Sequence, residues 1–286
     1  ILSRARPEDE PLRAANVAVE RAKASGNQIG MYDPRSDPGT NVRLLGPALR
    51  NGIAREELSL AYQPVVSLAD SHIDHFEALL RWSTPQGAVS PESFVPVAEQ
   101  TGLVHDLGRF AMERALGELA RQRALGNEFG MSVNLSGRQL TDEHLPDVVA
   151  ELIDRYQLLP GSVTLEVTEG VLLDSSASAW TVLSRLHKAG ARISLDDFGT
   201  GYSQINYLRR YPFDELKIDR MFVRDMHTDV AARAIIVGAI AFAKAAGITT
   251  VCEGIEHAEQ AEQLRELGCV FGQGYLYGGA ATEPAT

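Results

Sequence analysis

The chain has 286 residues, 44% of them hydrophobic, and a formal net charge of −11 at pH 7. That length and apolar content support one large domain or two modest ones with a full core. The negative charge argues against a nucleic-acid polymer as ligand, because a phosphate backbone is held by Lys and Arg; a small anionic substrate stays open if a metal ion supplies positive charge.

Residues 1–40 read as a different kind of sequence. LRAANVAVERAKASG has helical spacing in Leu12, Val17 and Val19, with Gly26 as a stop signal. The turn formers of Asp33–Asn41 follow. This predicts a helix and a linker: the tail of an upstream domain, or a free-standing N-terminal arm. The chain begins without Met and shows no charged-then-apolar leader, so no signal peptide is expected.

From residue 41 the organisation becomes regular. Val42–Asn51 predicts a helix ending near Gly52. Leu58–Leu68 and Ile73–Trp82 predict strands joined by a short turn around Asp70, hence antiparallel. Further strands are expected at Met131–Leu135, Val163–Val167, Ile193–Leu195, Leu216–Ile218, Ile248–Val251 and Val270–Phe271. Helical segments are expected near 105–124, 138–156, 174–189, 202–210, 229–246 and 257–267. The apolar run Ala234–Ala243 lies between Arg233 and Lys244, is too short to cross a bilayer, and predicts a buried helix. No membrane contact is expected. Two cysteines, Cys252 and Cys269, are too few for a disulfide framework and fit a reducing cytoplasm. A parent protein anchored in a membrane remains compatible with this.

Strands alternating with helices point to βα units. About eight strands in about 240 residues match the size of a (β/α)8 barrel, with an antiparallel first strand; an open doubly wound sheet is the alternative. No GxGxxG opens a helix early in the chain, so a dinucleotide is not expected.

The expected strand ends carry the chemistry. The second strand holds Glu77, the third Asn134, and the fourth Glu166 with Glu169 just beyond. The fifth runs into Asp196–Asp197, the sixth holds Lys217 and Asp219, the seventh leads to Glu253, and the eighth to Gln273. In a barrel all these ends open on one face, and that face carries the active site. A single acidic strand end reads equally as a helix cap. Oxygen donors at nearly every strand end, with one lysine among them, do not. An oxygen-rich set without a His or Cys cluster suits Mg²⁺ or Mn²⁺, one or two ions. None of the seven histidines has a spacing that suggests ligation, and Cys252 reads as a packed thiol.

The motifs then reach a family. YQPVV (Tyr62–Val66), EALLRW (Glu77–Trp82), VNLS (Val133–Ser136), EVTE (Glu166–Glu169), DDFGTGYS (Asp196–Ser203), KID (Lys217–Asp219), EGIE (Glu253–Glu256) and QGYLYG (Gln273–Gly278) stand in order. Together they resemble the EAL-type cyclic di-GMP phosphodiesterases over about residues 42–280. Residues 1–40 are similar to the end of a GGDEF-type domain, which divides the chain into a 1–40 remnant with linker and a 41–286 EAL domain.

The resemblance implies hydrolysis of cyclic di-GMP to linear pGpG. It implies Glu77, Asn134, Glu166 and Asp196 as direct metal ligands, and Asp197 toward a second ion. By the same resemblance Lys217 and Glu253 orient or deprotonate the attacking water, Gln273 assists, and Glu169 anchors the loop Phe198–Ser203. Gln63, Leu80 and Arg81 are implied to meet the substrate, with Pro91, Phe94 and Asp219 as further candidates. A homodimer through residues 197–210 is implied as well. A non-catalytic cyclic di-GMP receptor is the alternative, although such receptors usually lose a ligand position that this chain keeps. The chain departs from the family pattern at Gly279–Ala281, where a proline is usual.

Overall fold

The structure is a computed structural model and describes residues 38–173, 177–200 and 213–284. The expected 1–40 helix and linker fall almost wholly outside those residues, as does the expected helix 202–210. Chain contacts divide the protein into two compact units: one holds 38–58 and 81–104 of the described residues, the other 59–80 and 105–284.

The elements of the smaller unit are α1 (Pro38–Ala54), the hairpin strand β3 (Gly87–Val89) and α2 (Pro91–Thr101). It also holds the far end of β2 (Ile73–Thr84), which pairs antiparallel with β3 through Trp82 and Val89. Its centre is Trp82. The indole N–H donates to Glu57 Oε2 at 3.2 Å, and Phe94 meets the ring edge-on with centroids 5.7 Å apart. Helix α2 was not among the expected elements. Its signal is local: Pro91 sits at the helix start, where its missing N–H costs nothing.

The larger unit is a closed barrel, as the strand–helix alternation predicts. Its strands are β1 (Leu58–Ser67), β2, β4 (Gly130–Leu135), β5 (Val163–Thr168), β6 (Arg192–Phe198), β7 (Glu215–Ile218), β8 (Thr249–Cys252) and β9 (Phe271–Gln273). They follow the order β1-β9-β8-β7-β6-β5-β4-β2, and a β1–β2 pairing closes the ring. The strands from β4 to β9 pair in parallel, β2 with β4 likewise, whereas β1 runs antiparallel to β9. Closure removes sheet edges and rules out the open doubly wound alternative.

Outside the ring lie α3 (Val104–Ala124), α4 (Leu145–Arg155), α5 (Glu169–Leu173), α6 (Ala177–Lys188), α7 (Arg220–Asp225), α8 (Val230–Ala246) and α9 (Ala258–Glu266). Two expectations need correction here. The continuous helix expected over 138–156 is a 3₁₀ turn at Gln139–Thr141 followed by α4, because Pro146 fits only a helix's first turn. The helix over Ala234–Ala243 is buried on one stripe only. Ile236, Ala239, Ile240 and Ala243 face the core, while Ile235 and Val237 are 37% and 42% exposed.

The main core lies between strands and helices. Leu165, Val167, Ile193, Leu195, Leu216 and Ile218 point outward from the barrel and are fully buried. The alternate residues of the same strands point into the barrel. There the period of two places Glu166, Ser194, Asp196, Glu215 and Lys217. A polar barrel interior is the foundation of the site.

Candidate active site

Lys217 is 1% exposed at the centre of this interior. Its Nζ lies 2.7 Å from Glu253 Oε1, 2.9 Å from Glu166 Oε2, 3.2 Å from Glu77 Oε2 and 3.7 Å from Asp196 Oδ1. Glu77 also accepts from Asn134 Nδ2 at 2.8 Å and from Gln273 Nε2 at 2.8 Å. Seven side chains, carried on or directly after seven strands, thus form one connected group.

Their charges are unevenly balanced. Burial opposes the ionised form of Glu77, but Lys217 and the Gln273 and Asn134 donors outweigh it and hold the carboxyl down at about 2. Glu253 goes the other way: burial, with Asp196 and Glu77 nearby, pushes it up to about 8 despite Lys217. Burial and the neighbouring Glu77 raise Glu166 well above the usual carboxylate range. Burial works against the charged amine of Lys217, yet Asp196, Glu166, Glu253 and Glu77 together raise its pKa. Among the described residues one ammonium serves four carboxylates, so positive charge is in short supply here.

Asp196 and Asp197 owe their geometry to an irregularity. In a regular strand neighbouring side chains face opposite ways. Here the β6–β7 register shifts between Leu195 and Phe198, and Asp197 adopts a left-handed backbone with φ +55°. A bulge of this kind re-aims a side chain. Oxygens of Asp196, Asp197 and Glu253 consequently lie within 4.8 Å of one another. Burial, then Asp196 and Asp219, push Asp197 up to about 6. Three converging carboxylates, two with pKa values of about 6 and 8, form an all-oxygen set short of positive charge. That set fits a hard divalent cation.

A family model described as the EAL domain matches residues 47–280. The chain belongs to the EAL domain family. Two curated relatives come from Pseudomonas aeruginosa. The cyclic di-GMP phosphodiesterase NbdA is 34% identical over 273 residues, covering 94% of this chain and 35% of that protein. MucR, named a bifunctional diguanylate cyclase/cyclic di-GMP phosphodiesterase, is 38% identical over 268 residues, covering 92% and 39%. The solved structure titled PaMucR phosphodiesterase, c-di-GMP complex, matches with a TM-score of 0.79 at 37% identity, covering 83% of this chain and 97% of that one. This chain therefore spans well under half the length of those two curated relatives.

The remaining expected positions of this EAL domain fall as follows. Glu169, the first residue of α5, is fully buried, and its Oε2 accepts the Gly199 N–H at 3.0 Å. That is the contact an anchor of the loop after β6 requires; residues 201–203 of the loop lie outside the described residues. Gln63 on β1 is half-buried and donates to the Gly278 carbonyl at 3.4 Å. Nearby, Tyr62 and Ala281 exchange backbone hydrogen bonds, so the departure at Gly279–Ala281 borders the strand that carries Gln63.

Leu80 is partly buried against the barrel core. Arg81 is half-buried on β2 and Pro91 opens α2; both fall within the smaller unit. Phe94 is fully buried against Trp82, which removes it as a substrate contact. Asp219 caps α7, its Oδ1 accepting from Met221 N–H at 2.7 Å.

The sequence reading missed one group. Oxygen or nitrogen atoms of His75, Glu166 and Glu215 lie within 4.8 Å of one another inside the barrel. The available signal was the strand period: His75 and Glu215 stand two residues before Glu77 and Lys217, on the same faces.

Proposed function

We propose that the chain is a metal-dependent phosphodiesterase that hydrolyses cyclic di-GMP to linear pGpG. The observation that carries this reading is the convergence of Glu77, Asn134, Glu166, Asp196, Lys217, Glu253 and Gln273 on one group in the barrel. The names of NbdA and MucR and the ligand in the related MucR structure support the substrate.

A phosphodiester is an anion, so attack by water at phosphorus needs charge balance and a proton acceptor. Asp196 and Asp197 offer converging oxygens for a cation within 4.8 Å of Glu253, with Glu77, Asn134 and Glu166 as further oxygen donors alongside. We assign Mg²⁺ or Mn²⁺ to these residues. Such an ion, when bound, neutralises phosphoryl oxygens and acidifies water.

The protein groups supply the rest. Ionised Glu253 takes the proton from the attacking water, and Lys217, 2.7 Å away, holds a fixed positive charge against the phosphoryl oxygens. Asn134 and Gln273 fix the Glu77 carboxylate. Glu169 holds the backbone after Asp197 through Gly199. Gln63, Leu80, Arg81, Pro91 and Asp219 are assigned to substrate contact by family similarity, with Asp219 also serving as a cap.

We further read residues 1–40 as the end of a GGDEF-type domain, the active species as a homodimer, and the location as cytoplasmic. Two unpaired, buried cysteines support the location. No helix among the described residues is long and apolar enough to cross a membrane. Light scattering across protein concentration tests the dimer.

The deciding assay is hydrolysis of cyclic di-GMP in Mg²⁺ and in Mn²⁺, with Glu77→Ala and Glu253→Ala beside the wild type. Metal-dependent pGpG that both variants abolish is the expected result. Tight binding without product in either metal, from a dimeric preparation, would make the protein a receptor instead.

A further inference from the structure

Below the catalytic group, the barrel interior holds a second set of polar side chains, of which the proposed hydrolysis uses only Glu166. His75 is 2% exposed, and Glu166, Ser194 and Glu215 are fully buried. His75 Nε2, Glu166 Oε1, both carboxylate oxygens of Glu215 and Ser194 Oγ have no hydrogen-bond partner among the described residues. Each such orphan costs about 1–3 kcal/mol, so a cluster of them calls for an occupant.

The imidazole is oriented for ligation. His75 Nδ1 lies 2.9 Å from Asp74 Oδ2. An ionised carboxylate only accepts, so Nδ1 donates to Asp74 and Nε2 is left for the cluster. A carboxylate behind one imidazole nitrogen and a metal at the other is the recurrent second shell of metal-bound histidine. Glu166 is shared: its Oε2 accepts from Lys217 at 2.9 Å, leaving Oε1 for the lower set. The ion pair described for Glu215 is Arg192 Nη2 at 3.7 Å, beyond hydrogen-bond distance.

A cavity lies near the cluster. It has a volume of about 480 Å³ and is lined by Arg192, Thr249 and Phe271 among others. Arg192 pairs with Glu215, and Phe271 stands edge-on to His75 with centroids 6.5 Å apart. Two of its lining residues are therefore direct neighbours of the cluster.

We propose that His75, Glu166 and Glu215 form a second metal site inside the barrel, sharing only the Glu166 carboxylate with the catalytic oxygen set and taking Zn²⁺ in preference to Mg²⁺. One imidazole nitrogen with two carboxylates is a zinc ligand set, whereas Mg²⁺ prefers oxygen alone. One ligand atom from each of the three residues lies within 4.8 Å of the others, so the side chains have to draw in to share an ion at about 2.0–2.2 Å. The inference does not rest on the hydrolysis reading, since its test measures zinc rather than turnover.

The test is a crystal of chelator-treated chain soaked in zinc chloride, with anomalous scattering recorded at the zinc edge. A peak within bonding distance of His75 Nε2, Glu166 and Glu215 is expected. Calorimetric titration with zinc chloride adds a second readout. Asp197→Asn should keep the corresponding binding event, and His75→Phe and Glu215→Gln should lose it. Asp74→Ala should weaken it by about 10–100-fold. Circular dichroism shows whether each variant folds, and the wild-type map decides if one does not. Density without anomalous signal at the cluster means ordered water only and overturns the proposal. Unchanged zinc stoichiometry in folded His75→Phe and Glu215→Gln overturns it equally.

Discussion

Lys217 Nζ lies 2.7 Å from Glu253 Oε1, the shortest of its four contacts with carboxylates. The pair places a fixed positive charge beside a carboxyl whose pKa stands at about 8. Glu253→Gln keeps the shape and removes the base. Hydrolysis should fall by about 10²–10⁴-fold, the usual worth of general-base catalysis, while cyclic di-GMP binding by calorimetry persists. Near-wild-type turnover would remove Glu253 from the proton transfer.

Lys217→Met leaves four carboxylates without their shared cation. Stripping one partner from a buried ionic group costs about 3–5 kcal/mol. Urea denaturation of metal-free protein should show a loss of that order. Added Mg²⁺ should recover part of it, because a divalent ion replaces the missing charge. A variant as stable as the wild type without metal would contradict this electrostatic account.

Metal binding should release protons. Glu253, at about 8, and Asp197, at about 6, sit above their unfolded values of 4.5 and 3.8. In metal-free protein these raised values favour folding at low pH. The contribution is complete below the unfolded pKa and is lost as pH rises through the folded one. A bound cation reverses the preference, since it requires the ionised carboxylates. Apparent Mg²⁺ affinity should therefore increase from pH 6 to above pH 8, and titrations in buffers of different ionisation enthalpy should reveal protons released on binding. A pH-independent affinity would separate the metal from these two groups.

Glu169→Ala removes the acceptor of the Gly199 N–H. A charge-assisted hydrogen bond is worth about 1.5–3 kcal/mol, so a moderate drop in stability is expected. The larger effect should be on turnover, because the same backbone presents Asp197. Glu169→Gln, which can still accept a hydrogen bond, should recover much of the rate. Equal loss in both variants would point to the charge of Glu169 rather than its hold on the loop.

Gly274 follows Gln273 with φ +156°, and a Cβ there would strike the Ile255 backbone. Neither strand nor loop can yield, since Ile255 N–H also bonds the Gln273 carbonyl at 3.0 Å. Gly274→Ala should destabilise by about 1–3 kcal/mol and displace Gln273 from Glu77. Thermal melting and turnover together check it; an unperturbed melt would show that the turn can shift.

The sequence by itself determined the βα alternation, the eight barrel strands and the ordered acidic strand ends, because each depends on local pattern: period two in strands, helical spacing between them. Glu77, Asn134, Glu166, Asp196, Lys217, Glu253 and Gln273 were legible for that reason. Where local signals conflict with chain connectivity, the structure decided. Only the closed ring brought β1 beside β9 and Gln273 within 2.8 Å of Glu77, residues 196 positions apart. Only the bulge at Asp197 turned two adjacent carboxylates toward Glu253, because a regular strand would have sent them apart. His75 and Glu215 were hidden for a related reason. The strand period marks the inward face of each, but they stand on strands from opposite halves of the chain and meet only once barrel closure sets their register.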